Sequence, residues 1–405
     1  MVAGRRRSQS KYPLNTRHMG KTWKDRSDAL RCRNLIILIA RVVGFVPVPM
    51  RLPLLALALQ TRRRLRRIEG WVDAPNPRFI NRYRSPATFT DATLYDMRIT
   101  DRAHIQILID GIFHHPTRNP IARIECENKT VEALDVAFMM FLYWVSFPRK
   151  LSTMQEVFGR EYSQISRVVK AMWVYIDTTW GHLVTNNLDY FVLRLPEYNR
   201  AFRAKYQSLH GHPCSPRFND TALLTDGHKV AINRDLQINF SGHKSMYCLS
   251  FFITSAMDGM VVEAFGATAG SHNDHHQQNA SRIGPRLLTA QAGRPHIYKT
   301  GTDKGMHAQV CVVPMHNNPV NTPAQDLVNT EFSALRGTNE WDVGRPQSMF
   351  KYIDYRKVLF KHLQPIGMFF RISCIMTNLF NICDHNQTSE FYRCVPPATV
   401  RSYLV

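Results

Sequence analysis

Acidic residues are scarce in this chain. Its 405 residues hold 31 Asp and Glu against 52 Lys and Arg, a formal net charge of +21. An excess of that size draws polyanions, either nucleic acid or an anionic membrane surface. Long uncharged runs are also missing. The most apolar early stretch, Leu35 to Leu59, is interrupted by Arg41 and Arg51 and broken by Pro47, Pro49 and Pro53. It falls short of the about 18 uncharged residues that a spanning helix needs, and it begins too late and too basic for a cleavable signal. The eight cysteines form no CxxC pair, which points to reduced, buried thiols of an intracellular protein. His210, His212 and Cys214 stand close together in HGHPC, but no second ligand pair follows at zinc-finger spacing. No internal repeat or low-complexity tract is present.

The positive charge is concentrated at the start. The first 70 residues contain 17 Lys and Arg and 3 Asp and Glu, ending in TRRRLRRIEG. The reading is a disordered basic arm over residues 1–75, with Arg62, Arg63 and Arg64 neutralising phosphates or serving nuclear import. Pro75, Pro77 and Pro86 mark a linker. A helical domain is expected over 76–205. VEALDVAFMMFLYWVS is apolar enough for a buried helix that Phe147-Pro148 stops. In the next segment Ser152 is placed as a helix cap and Gly159 as a turn. Ile165, Val168, Val169 and Met172 then recur at helical spacing. Two helices joined at a glycine turn suit a helix-turn-helix near 151–178. Ser163, Gln164, Ser166 and Arg167 would then face outward, as residue types that contact bases or phosphates. An ordinary helical hairpin fits the same pattern.

Residues 206–400 read as a mixed sheet flanked by helices. The strands are LLTDGHKVAI, MYCLSFFITS and MVVEAFGA (the last two a hairpin turning at Asp258-Gly259), then a short edge near GTDKGM and VCVVP. Helices follow from Pro323 to about 355 and around Met368, Ile372, Ile375 and Leu379. The stretch ALLTDGHKVAI sets a problem. It is a buried strand with a carboxylate in it, and an unpaired buried carboxylate is costly. Asp226 on this strand, Asp303 at a later strand end and Glu340 on the following helix can converge at one sheet edge. Such acids repel and need a cation. Oxygen-only ligands suit Mg²⁺ or Mn²⁺, and two such ions about 3.5–4 Å apart serve phosphoryl transfer. A strand-end aspartate bonded to nearby amides is the plainer alternative for Asp226.

Several stretches together carry a resemblance: DG at 226–227, SGHKSMYCLSFFITSAMDG at 241–259, GSHND at 270–274, DKGM at 303–306, NTEFSALRGTNEW at 329–341, the tail at 363–392, and FGREYSQISRV earlier in the chain. From about residue 130 to 400 the chain resembles the PIF/Harbinger class of DDE transposases and the nucleases derived from them. The resemblance implies an RNase H-like fold, a triad of Asp226, Asp303 and Glu340, and two divalent metal ions, Mg²⁺ or Mn²⁺. It further implies DNA as partner, a homo-oligomer on DNA, a Myb-like accessory protein and a nuclear location, and the interrupted apolar stretch adds the expectation of no membrane. Arg336, four positions before Glu340, shares its helix face and is placed to orient the glutamate or hold a phosphate. The chain departs from the family at Asn273, which stands where a histidine is usual, at Met306 in place of an aromatic, and at Pro346 inside the helix bearing Glu340. Asp274 matches a family aspartate. A helix cap is its expected role, with metal ligation second.

Overall fold

The computed structural model describes residues 23–43, 46, 48–68, 86–355, 359 and 364–405. They fall into two compact units, Met1–Ile80 and Asn81–Val405. In the first unit, helix α1 (Trp23–Val42) packs on helix α2 (Val48–Ile68), where the sequence reading expects a disordered arm. Apolar residues recur along both segments, and Cys32 and Ile39 are buried. Pro49 falls in the first turn of α2, where a missing N–H leaves no bond unmade, and Pro53 lies inside the helix. Arg62 is exposed. The side chains of Arg63 and Arg64, and the linker at Pro75 and Pro77, lie outside the described residues.

The second unit opens with helices α3 (Asp91–Asp96) and α4 (Arg102–Phe113), followed by a small hairpin of β1 (Arg123–Glu125) and β2 (Val131–Ala133). Helix α5 (Leu134–Ser146) is buried almost all round, as its uniform hydrophobicity dictates. Helix α6 (Leu151–Phe158) ends at Gly159, whose φ of +65° makes the left-handed turn into α7 (Tyr162–Trp180). The two-helix motif therefore forms, with Ile165, Val168, Val169 and Met172 buried. Ser152 does not cap α6. Lys150 takes the cap position with extended dihedrals and no side-chain bond, so Ser152 lies within the first turn. Helices α8 (Leu188–Val192) and α9 (Leu195–His210) complete the helical span.

The sheet strands are β3 (Thr221–Ala231), β4 (Phe240–Ser241), β5 (Met246–Ala256) and β6 (Val261–Ala269). After α10 (Asp274–Ser281) and α11 (Ile283–Ala290) come β7 (Lys299–Thr302) and β8 (Val312–Pro314). The order across the sheet is β6-β5-β3-β7-β8, with β4 on the end of β5. β6, β5 and β3 are antiparallel neighbours, whereas β3, β7 and β8 are parallel. This mixed, helix-flanked sheet is the RNase H-like arrangement. The β5–β6 hairpin turns as read, with Gly259 at φ +77° and Ala256 N–H bonded to Met260 O at 3.0 Å. β7, however, is an interior strand and not an edge. Its KTGT sequence is too short and too polar to announce this. Phe332 packs where a Cβ on Gly301 would sit, so only glycine lets the helix layer approach.

Helices α12 (Pro323–Met349), α13 (Ile366–Cys383), α14 (Gln387–Tyr392) and α15 (Val400–Tyr403) close the chain. A capping box of Thr322 and Gln325 starts α12. Pro346, the departure inside this helix, does not break it. Pro346 lies in the last turn, so few bonds are at stake, and its carbonyl still accepts Phe350 N–H at 3.0 Å. α13 is long and apolar enough to cross a membrane, yet most of it is buried, packed on β6, α7 and α12. Because α9 also packs on β3 and α7 on α13, the helical span and the sheet share one core. The boundary read at 205/206 therefore does not separate independent bodies.

Candidate active site

Leu224 on β3 pairs with Gly301 on the parallel strand β7. Two residues further on, Asp226 within β3 and Asp303, one residue past the end of β7, come to the same side of the sheet, where the charge of Asp303 acts on Asp226. Asp226 Oδ1 accepts Gly227 N–H at 2.8 Å, and its Oδ2 accepts Arg336 Nη1 at 2.8 Å. Arg336 Nη2 donates to Glu340 Oε1 at 3.1 Å. The guanidinium thus bridges the strand acid and the α12 acid. The two links are unequal: Asp226 and Arg336 side chains are each 18% exposed, Glu340 64%. Water weakens the second pair far more than the first. Asp303 Oδ1 accepts Gly305 N–H at 2.9 Å.

A fourth carboxylate joins them. Asn273, not Asp274, caps α10, with its Oδ1 accepting His276 N–H at 2.8 Å. This corrects the capping role expected of Asp274. Asp274 instead lies against Gly227, where a Cβ would fall on its carboxylate. Among the described residues it has neither a hydrogen bond nor an ion pair. Lys229, three positions after Asp226 on β3, fixes the turn that carries it. Its Nζ donates to Gly270 O at 2.9 Å, His272 O at 3.1 Å and Ser250 Oγ at 3.0 Å. The sequence held two signs of this arrangement: the match of Asp274 to a family aspartate, and the Asn-Asp pair, which offers a cap one residue before the acid.

Burial pushes the Asp226 carboxyl up to about 6. Arg336 and the Gly227 N–H oppose the rise, and Asp303 and Asp274 add to it. Burial, and then the charge of Asp303, raise Asp274 as well. The charges of Asp303 and Asp274 thus act on Asp226, and that of Asp303 on Asp274, while Arg336 contacts Asp226 directly and the charges of Lys229 and Lys244 act on Asp274. Among the described residues, no three His, Cys, Asp or Glu side chains close on a single metal position. The donor chemistry nevertheless fits a hard divalent cation: oxygen ligands only, mutually repelling, with Asp274 unpartnered.

The residues read as DNA contacts on α7 divide. Ser166 is exposed, while Ser163, Gln164 and Arg167 are half-buried. Gln164 does not meet its expectation. Its amide donates to Glu132 Oε2 at 3.0 Å, beside Arg160, which bonds both oxygens of that buried acid. Arg167 lines a hollow between α7 and the β1–β2 hairpin. The HGHPC residues serve Glu331 on α12. His212 Nε2 bonds its Oε1 at 2.9 Å, His210 bonds its carbonyl at 3.2 Å, and Tyr206 OH donates to it. Burial pushes the Cys214 thiol up to about 12, away from the thiolate that zinc needs. All eight cysteines are free.

Residues 225–378 match the family model of the DDE superfamily endonuclease. The match begins one residue before Asp226, takes in Asp274, Asp303 and Glu340, and ends within α13. It supports a transposase-type nuclease domain of the DDE class, whose members generally use divalent metal ions. No curated protein and no solved structure matches the chain.

Proposed function

We propose that this chain is a metal-dependent DNA endonuclease and transposase of PIF/Harbinger type, cutting and joining phosphodiester bonds with Asp226, Asp303 and Glu340. The observation that carries the reading is the placement of Asp226 on β3 beside Asp303, just past the end of the parallel strand β7, with Arg336 drawn from α12 onto Asp226 and Glu340. Two divalent ions, Mg²⁺ or Mn²⁺, would supply activation of the attacking water or hydroxyl and stabilisation of the leaving oxygen. Asp226 and Asp303 would hold them from the sheet and Glu340 from α12, with Asp274 as a further oxygen donor. Arg336 turns its donors to a non-bridging phosphate oxygen, a planar fork suited to that group. The freed 3′-hydroxyl then attacks target DNA. Ser166 and Arg167 on α7 and the arginines of α2, Arg62 to Arg64, contact DNA. A homo-oligomer on DNA, a Myb-like accessory protein and a nuclear location complete the reading.

A second reading, a transposase-derived DNA-binding protein that no longer cuts, draws support from the exposed Glu340, tied to the site through Arg336 alone among the described residues. Nicking of supercoiled DNA in Mg²⁺ or Mn²⁺ separates the two. Cutting by the wild type that Asp226→Asn and Glu340→Gln each abolish favours the enzyme. Salt-sensitive binding with no cutting by the wild type favours the binder.

A further inference from the structure

Beside the α12 segment that carries Glu340, α9 and α14 enclose an open groove of about 410 Å³. Arg200 and Lys205 stand on its α9 wall and Arg393 at the end of α14. Glu197 is the acid in its lining, and Arg194 takes it at 3.1 Å. Among the described residues, Arg200, Lys205 and Arg393 have no ion-pair partner. The groove is therefore strongly cationic. Its aromatic floor is covered, because Lys205 Nζ lies 3.9 Å from the centre of the Phe391 ring. Polar and apolar surface are therefore mixed in the lining, with the cationic side chains on both walls.

Two further observations tie this groove to the acid centre and fix the place of Arg393. The Phe391 ring meets Trp341 edge-on at 5.8 Å, and Trp341 directly follows Glu340 on α12. Arg393 has φ +53°, a left-handed conformation in which glycine is unstrained and a long side chain is not. As the left-handed cap of α14, Arg393 sets its charge at the rim of the groove.

We propose that the groove between α9 and α14 takes the phosphate backbone of DNA as the duplex leaves the acid centre. Three cations without an ion-pair partner among the described residues, on both walls of one groove, suit successive phosphates, which position a duplex without reading its sequence. The inference rests on the endonuclease reading for the identity of the polyanion.

The test is the salt dependence of duplex binding, followed by fluorescence anisotropy on a 30-mer, for the full chain and for Arg200→Gln, Lys205→Gln and Arg393→Gln, singly and together. Each lost phosphate contact removes about 0.9 from the slope of log affinity against log salt. The triple variant should lose roughly 2 to 3 from that slope, while Arg200→Lys with Arg393→Lys keeps it. All three positions are on the surface, and a thermal melt checks folding. Should the triple variant melt early, the single variants carry the same prediction one contact at a time. Unchanged slopes in the folded variants overturn the proposal, as does a wild type that binds no DNA. Mn²⁺-dependent nicking is read in parallel. A lowered slope without any nicking keeps the groove and sinks the endonuclease reading; nicking with an unchanged slope does the reverse.

Discussion

Asp226 is tolerated in a buried strand because a backbone N–H and a guanidinium meet its two oxygens. Replacing Arg336 with Gln leaves that acid half-neutralised. The variant should lose about 3 kcal/mol at pH 7, measured by urea unfolding, with a smaller deficit at pH 5 where Asp226 takes a proton. The wild type follows from the same shift. Its carboxyl is raised to about 6, so between its ordinary value and about 6 the native chain binds more protons than the unfolded one. Stability from this group therefore falls as pH rises through that window. Divalent cation relieves the charge, and Mn²⁺ should raise Tm more at pH 7 than at pH 5. A gain that is equal at both, or larger at pH 5, contradicts this. Gly227→Ala should cost about 1–3 kcal/mol by forcing Asp274 aside, visible as a lower Tm. The places of Asp226 on a strand, Asp303 just past a strand and Glu340 on a helix were legible from the apolar pattern around them. For Asp274 the cap was read ahead of metal ligation, because which of two adjacent residues caps a helix depends on where the backbone turns helical.

At the scale of elements, periodicity foretold α5, α7 and α13, whose apolar faces are long. It failed where polar or basic residues interrupt the pattern. β7 reads as an edge because KTGT has no apolar alternation, and its place between β3 and β8 comes from strand pairing. α1 and α2 read as an arm because arginines and prolines mask their apolar positions. The second helix of the α6–α7 motif also separates its own residues: Gln164 is engaged by Glu132, Ser166 is open. Ser166→Asp should weaken DNA binding by roughly tenfold, since it sets a negative charge against phosphate. Gln164→Ala should change affinity little. Anisotropy titrations at one fixed salt concentration distinguish these outcomes, and a reversed ranking would remove α7 from the DNA interface as drawn.

The whole molecule divides before residue 81, not at 205/206. Helical span and sheet bury one continuous core, so the sequence's change from helical to strand pattern marks a change of layer and not of domain. Residues 81–405 should unfold in one transition, and their removal from the leader should lower the salt slope of DNA binding. The leader holds 17 of the 52 basic residues within its first 70 positions. The central claim is that the acids of this sheet end form a divalent-cation site. Its most direct test is Mn²⁺ binding to the full chain at pH 7, read by the loss of the free-ion electron paramagnetic resonance signal, beside Asp226→Asn and Asp303→Asn. The account predicts binding by the wild type and loss of it in both variants. Binding that survives both substitutions would place the cation elsewhere and contradict the account.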